Sequence, residues 1–373
     1  MKYLSCFSGI GGLEASNPPI LFCEQDAEAS SILKAMHPGI EVFPDICKLR
    51  PPPVDIIAGG WPCQDISIAG KQEGLAGLRS GLLRELLRVA DEAQATIVVA
   101  ENVTNLLRMN DGAEFTATLE EFTKGNRYPY VGWRVLNARE FGLPQNRSRL
   151  LIIAAKDQSF VHTLFRDIEP QRKVVKCSSE DIAAGFYWTA GTHSINYTRG
   201  YVPTIKIGSS LGIASPPAVH YGDVVRMLTA DEALRLQGFC LTVNDFSSRA
   251  AAYKAAGNAV ARDIGRWTLD GLALAGSTPG PTIVPKQINL LSYDSPIDKY
   301  PVAGMFRAGA VVPVAVKVCP RANNLSDYLN LDSVERLSSR AANGLLVRLI
   351  RSQTPCPEDL LATLRSLAPK EVA

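Results

Sequence analysis

Short apolar runs recur through the first 156 residues with polar or amphipathic stretches between them: Tyr3 to Phe7, Ile20 to Cys23, Val54 to Ala58, Thr96 to Ala100, Arg134 to Leu136 and Leu150 to Ala154. Runs of this length bounded by turn formers predict strands buried on both faces, as in a mostly parallel α/β sheet. Leu83, Leu86, Leu87 and Ala90 stand at helical spacing and predict a crossover helix over Leu82 to Ala93. The stretch between Glu14 and Glu24 is short and interrupted by Asn17-Pro18-Pro19, so the first helix is predicted to be about one turn.

The pattern changes after Asp157. Residues 157–225 break into short polar and aromatic pieces rich in turn formers, which predict a small insert of loops and short strands. Helical periodicity returns at Thr229 to Gln237 and at Ala259 to Ala275, and GSTPGPTIVP then predicts a linker. Four regions follow: 1–156, 157–225, 226–276 as a return to the first domain, and 277–373 as an extension. The extension holds a candidate strand (Gly309 to Val318) and two candidate helices (Ser338 to Arg351, Pro357 to Leu367).

Composition narrows the classes. With 46% hydrophobic and 20% charged residues among 373, the chain is neither a disordered polymer nor, lacking any apolar run near the roughly 20 residues a bilayer demands, a helical membrane protein. The start MKYLSCFSGIGG shows no separable charged, apolar and cleavage regions, so a cytoplasmic location is expected. The net charge of +2 means that any nucleic acid must be held by a local basic patch rather than by bulk charge. Eight cysteines without a CxxC pair and four scattered histidines predict neither structural zinc nor a disulfide scaffold, and no metal is expected.

The candidate chemistry lies where strands end. FSGIGGLE (Phe7 to Glu14) follows the first strand, and glycines 9, 11 and 12 would let backbone N–H groups approach a ligand; a bare strand-to-helix turn would use the same residues. Glu24 ends the second strand, where an acid serves either ribose hydroxyls or solvent. Cys63 in GGWPCQDIS sits in a loop just past the fourth strand, as a nucleophile or a small buried hydrophobe. Glu101 in AENV ends the fifth strand, reaching the same sheet edge or capping the next helix. In QNRSRLLIIA, Arg147 and Arg149 stand two apart at the start of a strand, so both guanidinium groups are expected on one side, as a solvated edge or as charge stabilisers for a planar base.

Six pieces in this order, FSGIGG, PCQ, ENV, QNRSR, RMLTADEALRLQGF (Arg226 to Phe239) and AGNAVA (Ala256 to Ala261), resemble the motifs of the S-adenosylmethionine-dependent DNA cytosine-5 methyltransferases of bacteria and phages. The resemblance spans residues 3 to about 156 and about 202 to 270. It implies an α/β fold: a Rossmann-like class I methyltransferase sheet forming the catalytic domain, a small target-recognition domain, closing motifs that return to the catalytic domain, and a C-terminal extension outside the pattern.

It also implies roles. Cys63 would add to carbon 6 of cytosine, Glu101 would bond ring N3 and the exocyclic amine, and Arg149, supported by Arg147, would bind the carbonyl at carbon 2. Phe7, Gly9, Gly11, Gly12, Glu24, Asp45, Ile46, Pro62, Leu83, Asn258 and Val260 would hold S-adenosylmethionine. A cytosine in a duplex must be flipped to reach Cys63, and Gln64, Ser67, Lys71, Gln72 and Arg79 in the loop after the nucleophile, with Gln237, would contact double-stranded DNA. A monomer is expected, with a cognate restriction nuclease as the partner in a restriction system; protection of phage DNA is the other context.

The sequence departs from the family pattern at three places. Gln25 stands where an aromatic residue commonly follows the ribose acid. Only about residues 157–200 remain as variable recognition surface, with Arg166, Arg172, Lys173, Lys176, Arg199 and Asn196 as polar candidates, which suits a target of about two to four base pairs. Arg336, Arg340, Arg348 and Arg351 predict either a basic face over DNA or an amphipathic helix packed on the catalytic domain. The competing functions are a tRNA cytosine-5 methyltransferase and a non-catalytic DNA-binding subunit.

Overall fold

Tyr3 to Cys6, Leu21 to Cys23 and Ile97 to Asn102 are buried at every position. A strand covered on both faces needs apolar side chains in succession, which is why the apolar runs mark these segments. The structure is a computed structural model that describes residues 1–62, 78–168, 183–187, 194–206, 217–277, 280–281, 302–307, 309–316, 324–331 and 336–368, with only the backbone at 78–80 and 307.

Along the chain come β1 (Tyr3–Cys6), β2 (Leu21–Cys23), α1 (Ala27–Met36), β3 (Val42–Phe43), β4 (Ile56–Gly60), α2 (Leu78–Glu92), β5 (Ile97–Asn102) and α3 (Ala113–Thr123). Then follow β6 (Tyr130–Asn137), β7 (Gln145–Asn146), β8 (Ser148–Ala155), α4 (Gln158–His162), β9 (Ala184–Phe186), β10 (Thr198–Arg199), β11 (Val202–Pro203), β12 (Ala218–Tyr221) and β13 (Val224–Met227). The last are α5 (Ala230–Arg235), α6 (Arg249–Asn258), α7 (Arg262–Gly271), β14 (Ala303–Arg307), β15 (Ala310–Pro313), α8 (Ser339–Arg351) and α9 (Glu358–Leu367). Two compact units divide these elements. One comprises Met1–Asn137, Ser148–Glu169 and Val260–Cys319, the other Ala138–Arg147, Pro170–Ala259 and Pro320–Ala373.

The first unit is built on a nine-stranded sheet of order β15-β14-β6-β8-β5-β4-β1-β2-β3. Strands β1 to β5 pair in parallel, whereas β8 runs antiparallel to both β5 and β6. The reversal matters for chemistry: Asn102, the last residue of β5, pairs with Leu150 near the start of β8, so the residues that begin β8 share an edge with those that end β4 and β5. The expected one-turn helix after the glycine loop is absent. Its residues are bonded elsewhere: Ala15 N–H donates to the Tyr3 hydroxyl at 3.1 Å, and the N–H and hydroxyl of Ser16 donate to the Asp270 carboxylate at 2.8 and 2.5 Å.

The second unit holds a four-stranded sheet, β10-β9-β12-β13, and the parallel pair β7 and β11. Its apolar core joins Phe186, Ile195, Ala218 and Val225 to Ala342, Leu345, Leu346 and Leu349 of α8 and Leu360 and Leu364 of α9. Residues 277–373 therefore form no unit of their own. The hairpin β14–β15 completes the sheet of the first unit, and α8 and α9 complete the core of the second. The amphipathic reading of α8 holds, but its apolar face packs among the strands of the second unit, and Arg336, Arg340 and Arg351 are exposed.

Among the described residues no helix is long and apolar enough to cross a membrane, and no group of three or more His, Cys, Asp or Glu could hold a metal.

Candidate active site

Glu101 and Arg149 meet at the shared edge of the first unit's sheet. Arg149 Nε lies 3.0 Å from Glu101 Oε1, both side chains are about seven-eighths covered (12% exposed), and Arg149 Nη1 donates to the carbonyl of Ser148 at 2.8 Å. Gly60, paired with Glu101 in the sheet, leaves the room this carboxylate needs: a Cβ there would stand 2.6 Å from Glu101 Oε2. An ion pair this covered is screened weakly and fixes both groups in orientation. The arrangement presents a carboxylate and a guanidinium side by side, which suits the donor and acceptor edge of a planar heterocycle.

Cys63, Gln64, Ser67, Lys71 and Gln72 lie outside the described residues, and of Arg79 only the backbone, within α2, is described. The segment that leads to Cys63 is held by a residue whose role the sequence did not disclose. Asn102 Nδ2 donates to the carbonyl of Trp61 at 3.4 Å, and its Oδ1 accepts from Val103 N–H at 2.8 Å. Trp61 is buried and Pro62 exposed, so the chain leaves the interior just before the cysteine.

The glycine loop occupies the end of β1 in the same unit. Phe7, half-buried, and Gly9 and Gly11 all have positive φ, at 52°, 54° and 87°. For Phe7 that conformation costs about 1–2 kcal/mol. The carboxylate of Glu24 fastens the loop to the end of β2, accepting from Gly9 N–H and from Asp26 N–H, each at 2.7 Å. Gly12 is required for a different reason, close approach: a Cβ there would collide with the backbone carbonyl of Val260. The residues fit a nucleoside-like ligand. A Cβ at Gly9 would meet nothing within 4 Å, and each Glu24 oxygen keeps a lone pair free for a hydroxyl after its backbone bond. Asp45 caps the turn that begins at Ile46, accepting from Cys47 N–H at 3.0 Å; Ile46, Leu83 and Val260 are buried, and Gln25 is exposed.

Two predicted residues are placed otherwise. Arg147 does not face the same side as Arg149. It bridges β7 and β8, where strand alternation is interrupted, and its buried guanidinium donates to the carbonyls of Ile205 at 2.9 Å, Gly257 at 3.0 Å and Ala259 at 2.6 Å in the second unit. Gln237, expected on DNA, is fully buried; its amide donates to Ala256 O at 2.6 Å and accepts from Gln145 Nε2 at 3.2 Å. Asn258, the last residue of α6, is exposed.

The polar candidates of the recognition stretch are dispersed. Arg166 lies in the first unit, stacked 3.7 Å over Trp267, with its basicity lowered to about 10 by burial. Arg199 pairs with Asp359 at 2.7 Å, Arg336 pairs with Asp223 at 3.1 Å, and Asn196 is exposed, with its amide oxygen 3.0 Å from the Ser194 hydroxyl. Arg172, Lys173 and Lys176 lie outside the described residues. A charged pair that the motif RMLTADE concealed joins this motif to the segment around Asn330: Arg226 and Glu232, both buried, form two bonds of 2.8 and 2.7 Å, and Glu232 accepts from Asn330 N–H at 2.7 Å. Burial alone would raise the Glu232 carboxyl, but Arg226 and the N–H groups of Thr229 and Asn330 hold it below its ordinary value.

A sequence profile of the C-5 cytosine-specific DNA methylase family matches residues 1–193, more than half of the chain. The chain is 34% identical over 380 residues to the type II methyltransferase M2.BsuMI of Bacillus subtilis strain 168, covering 94% of each. It is 28% identical over 304 residues to the type II methyltransferase M.HaeII of Haemophilus aegyptius, covering 74% of this chain and 92% of that one. Among solved structures, the methyltransferase EhMeth of Entamoeba histolytica shares its fold, with a TM-score of 0.53 at 14% identity over 73% of this chain and 97% of that one. The chain thus belongs to the C-5 cytosine-specific DNA methylase family: it is a DNA cytosine-5 methyltransferase whose methyl donor is S-adenosylmethionine.

Proposed function

We propose that this enzyme methylates one cytosine within a short sequence of double-stranded DNA, as the modification arm of a restriction system or as protection against one. The Glu101–Arg149 pair at 3.0 Å carries the reading, because it offers a carboxylate and a guanidinium together next to the segment that leads into Cys63. The type II names of the relatives support the restriction context. A monomer is expected, with a nuclease of the same specificity as its counterpart.

In this reading the target base is flipped out of the duplex into the edge where β4, β5 and β8 meet. The Cys63 thiolate adds to carbon 6, Glu101 holds ring N3 with a proton and the exocyclic amine, and Arg149 binds the oxygen at carbon 2 as electron density moves into the ring. Carbon 5 thereby becomes nucleophilic. S-adenosylmethionine, when bound, supplies an electrophilic methyl group on its sulfonium sulfur. The carbon 5 proton then leaves to a base or to water, the electron pair re-forms the ring double bond, and the Cys63 sulfur departs.

Phe7, Gly9, Gly11, Glu24, Asp45 and Ile46 would hold the donor from the loop side, and Leu83, Pro62, Asn258 and Val260 would complete its surroundings. Gln64, Ser67, Lys71, Gln72 and Arg79 would follow the DNA backbone. We assign Arg147 and Gln237 to the framework, on the strength of their complete burial.

The test is to express the enzyme in a host without cytosine methylation and to sequence that genome by a method that reports 5-methylcytosine. Methylation at one short recurring motif is the expected result. An unmethylated genome from a protein that binds S-adenosylmethionine would overturn the DNA reading, and methylation of tRNA would then be measured on the same cells.

A further inference from the structure

Glu14 is a buried carboxyl that the reaction does not use. It follows the glycine loop directly, and the ideal Cβ position of Gly11 lies 3.4 Å from its Oε2. Oε1 is 2.9 Å from the Ser5 hydroxyl, whereas Oε2 is enclosed without a hydrogen-bond partner. The Ser5 hydroxyl is also 2.9 Å from the Ser8 hydroxyl, and the Ser8 hydroxyl is 2.9 Å from the carbonyl of Ser5. Ser8 belongs to the loop: its N–H donates to Cys23 O at 3.3 Å and its carbonyl accepts from Gly11 N–H at 2.9 Å.

Ser8 Oγ also lies 3.4 Å from the carbonyl of Cys23, so its hydroxyl has backbone acceptors of its own. An ionised Glu14 would accept from the Ser5 hydroxyl through Oε1 and keep a buried, unpartnered charge on Oε2. A neutral carboxyl carries no such charge and can donate to Ser5 Oγ, which frees the Ser5 hydroxyl to donate to Ser8 Oγ. Among the described residues, the charged or titratable groups that act on it are Arg262 at the start of α7, which opposes protonation, and Tyr3 on β1, whose phenol is kept neutral by burial and by Glu14 itself. Burial outweighs the lowering by Ser5 and Arg262 and lifts the carboxyl to about 7.

We propose that Glu14 is a positioning residue of the cofactor loop, which is shaped to take S-adenosylmethionine when Glu14 carries a proton and loses that shape when Glu14 ionises. The inference rests on the reading that residues 7–12 contact the cofactor. Ionisation would turn the Ser5 hydroxyl from Ser8 to Glu14 and slacken the segment between Phe7 and Gly11, so it acts on cofactor affinity and leaves the chemical step at saturating cofactor unaltered.

The test uses the full chain. Affinity for S-adenosylmethionine is measured by calorimetry between pH 5.5 and 8.5 for the wild type, Glu14→Gln and Glu14→Ala, with kcat taken at saturating cofactor. The amide of Glu14→Gln reproduces the neutral carboxyl. The wild type should lose roughly tenfold in affinity from pH 6 to pH 8 relative to Glu14→Gln, while kcat stays within about twofold. Glu14→Ala should bind weakly at every pH. Titration of the ligand's own amine is common to all three and cancels. Parallel pH profiles for wild type and Glu14→Gln would overturn the proposal. Should the variants fail to fold, carbon-13 NMR of the wild-type Glu14 carboxyl decides: a neutral carboxyl at pH 6 supports the chain of protons, and an ionised one contradicts it. Loss of pH dependence with binding intact would count against Glu14 alone, whereas absence of cofactor binding in every protein would bring down the loop assignment beneath it.

Discussion

Arg149 and Arg147 are two residues apart, and they represent two ways in which this molecule spends polar side chains. In the first unit β2, β4, β5 and β8 are apolar through most of their lengths and Glu101 and Arg149 form a covered pair at strand ends, while Arg134 in β6 and the cluster of Glu14, Ser5 and Ser8 are the polar groups it keeps inside. In the second unit polar groups lie inside: Arg147 on three carbonyls, Gln145 with Gln237, and Arg226 with Glu232. The same side-chain types therefore have different work. A strand end frees a group to meet a ligand, whereas a short-stranded unit with little continuous apolar surface joins its segments by satisfied internal bonds.

The contrast can be broken by substitution, and the largest effect is expected on turnover. Glu101→Gln should lower kcat by about 10³-fold, roughly 4 kcal/mol of barrier, with DNA affinity and Tm nearly unchanged. Radiolabelled methyl transfer and calorimetry measure the two quantities, and equal losses in activity and stability would place Glu101 among the structural groups. Arg226→Ala should do the reverse, removing about 3–5 kcal/mol of stability in urea unfolding by leaving Glu232 buried without its cation, while the folded fraction keeps its kcat.

Acid and base should act on the two units with opposite sign. Glu14, lifted by burial from 4.5 to about 7, favours the folded state below pH 4.5 and loses that contribution as pH rises to about 7, a change of up to about 3 kcal/mol that Glu14→Gln should abolish. Glu232, held below its ordinary value, contributes above pH 4.5 and loses that contribution as pH falls through its folded value. Carbon-13 titration of both carboxyls would show one moved up and the other down; two shifts of the same sign would remove the contrast. The smallest effect belongs to the surface: Arg199→Ala breaks a pair whose members are half exposed and should cost about 0–1 kcal/mol.

How much of this was legible follows from the physics of each element. The parallel strands β1, β2, β4 and β5 announced themselves because burial on both faces forces consecutive apolar residues, whereas the two-residue β3 is only partly buried and made no such run, and α2 announced itself through the spacing of its leucines. In the hairpin β14–β15, β15 fell within the candidate strand Gly309 to Val318, whereas β14 joined the sheet unannounced, since AGMFR includes glycine and arginine. Helix α6, RAAAYKAAGN, is half alanine and shows little amphipathic pattern. The two units interleave along the chain, so linear boundaries at 156, 225 and 276 describe the order of motifs but not the bodies they build. At the candidate site, Glu101 and Arg149 were readable as residues near strand ends, though not as the ion pair they form. Arg147 and Gln237 were not readable as interior groups, because a polar side chain in sequence carries no mark of the carbonyls that will surround it. Glu14 was hidden in a motif whose glycines drew the attention, and Asn102 in one whose acid did.

The most direct measurement of the central claim is covalent trapping with double-stranded DNA that carries 5-fluorocytosine in the methylated motif, in the presence of S-adenosylmethionine. Fluorine cannot leave as the proton does, so an enzyme that works as described should accumulate a stable DNA adduct that mass spectrometry maps to Cys63. The adduct should vanish in Cys63→Ser and form far more slowly in Glu101→Gln. An active enzyme that yields no adduct, or one attached through another cysteine, would contradict the account.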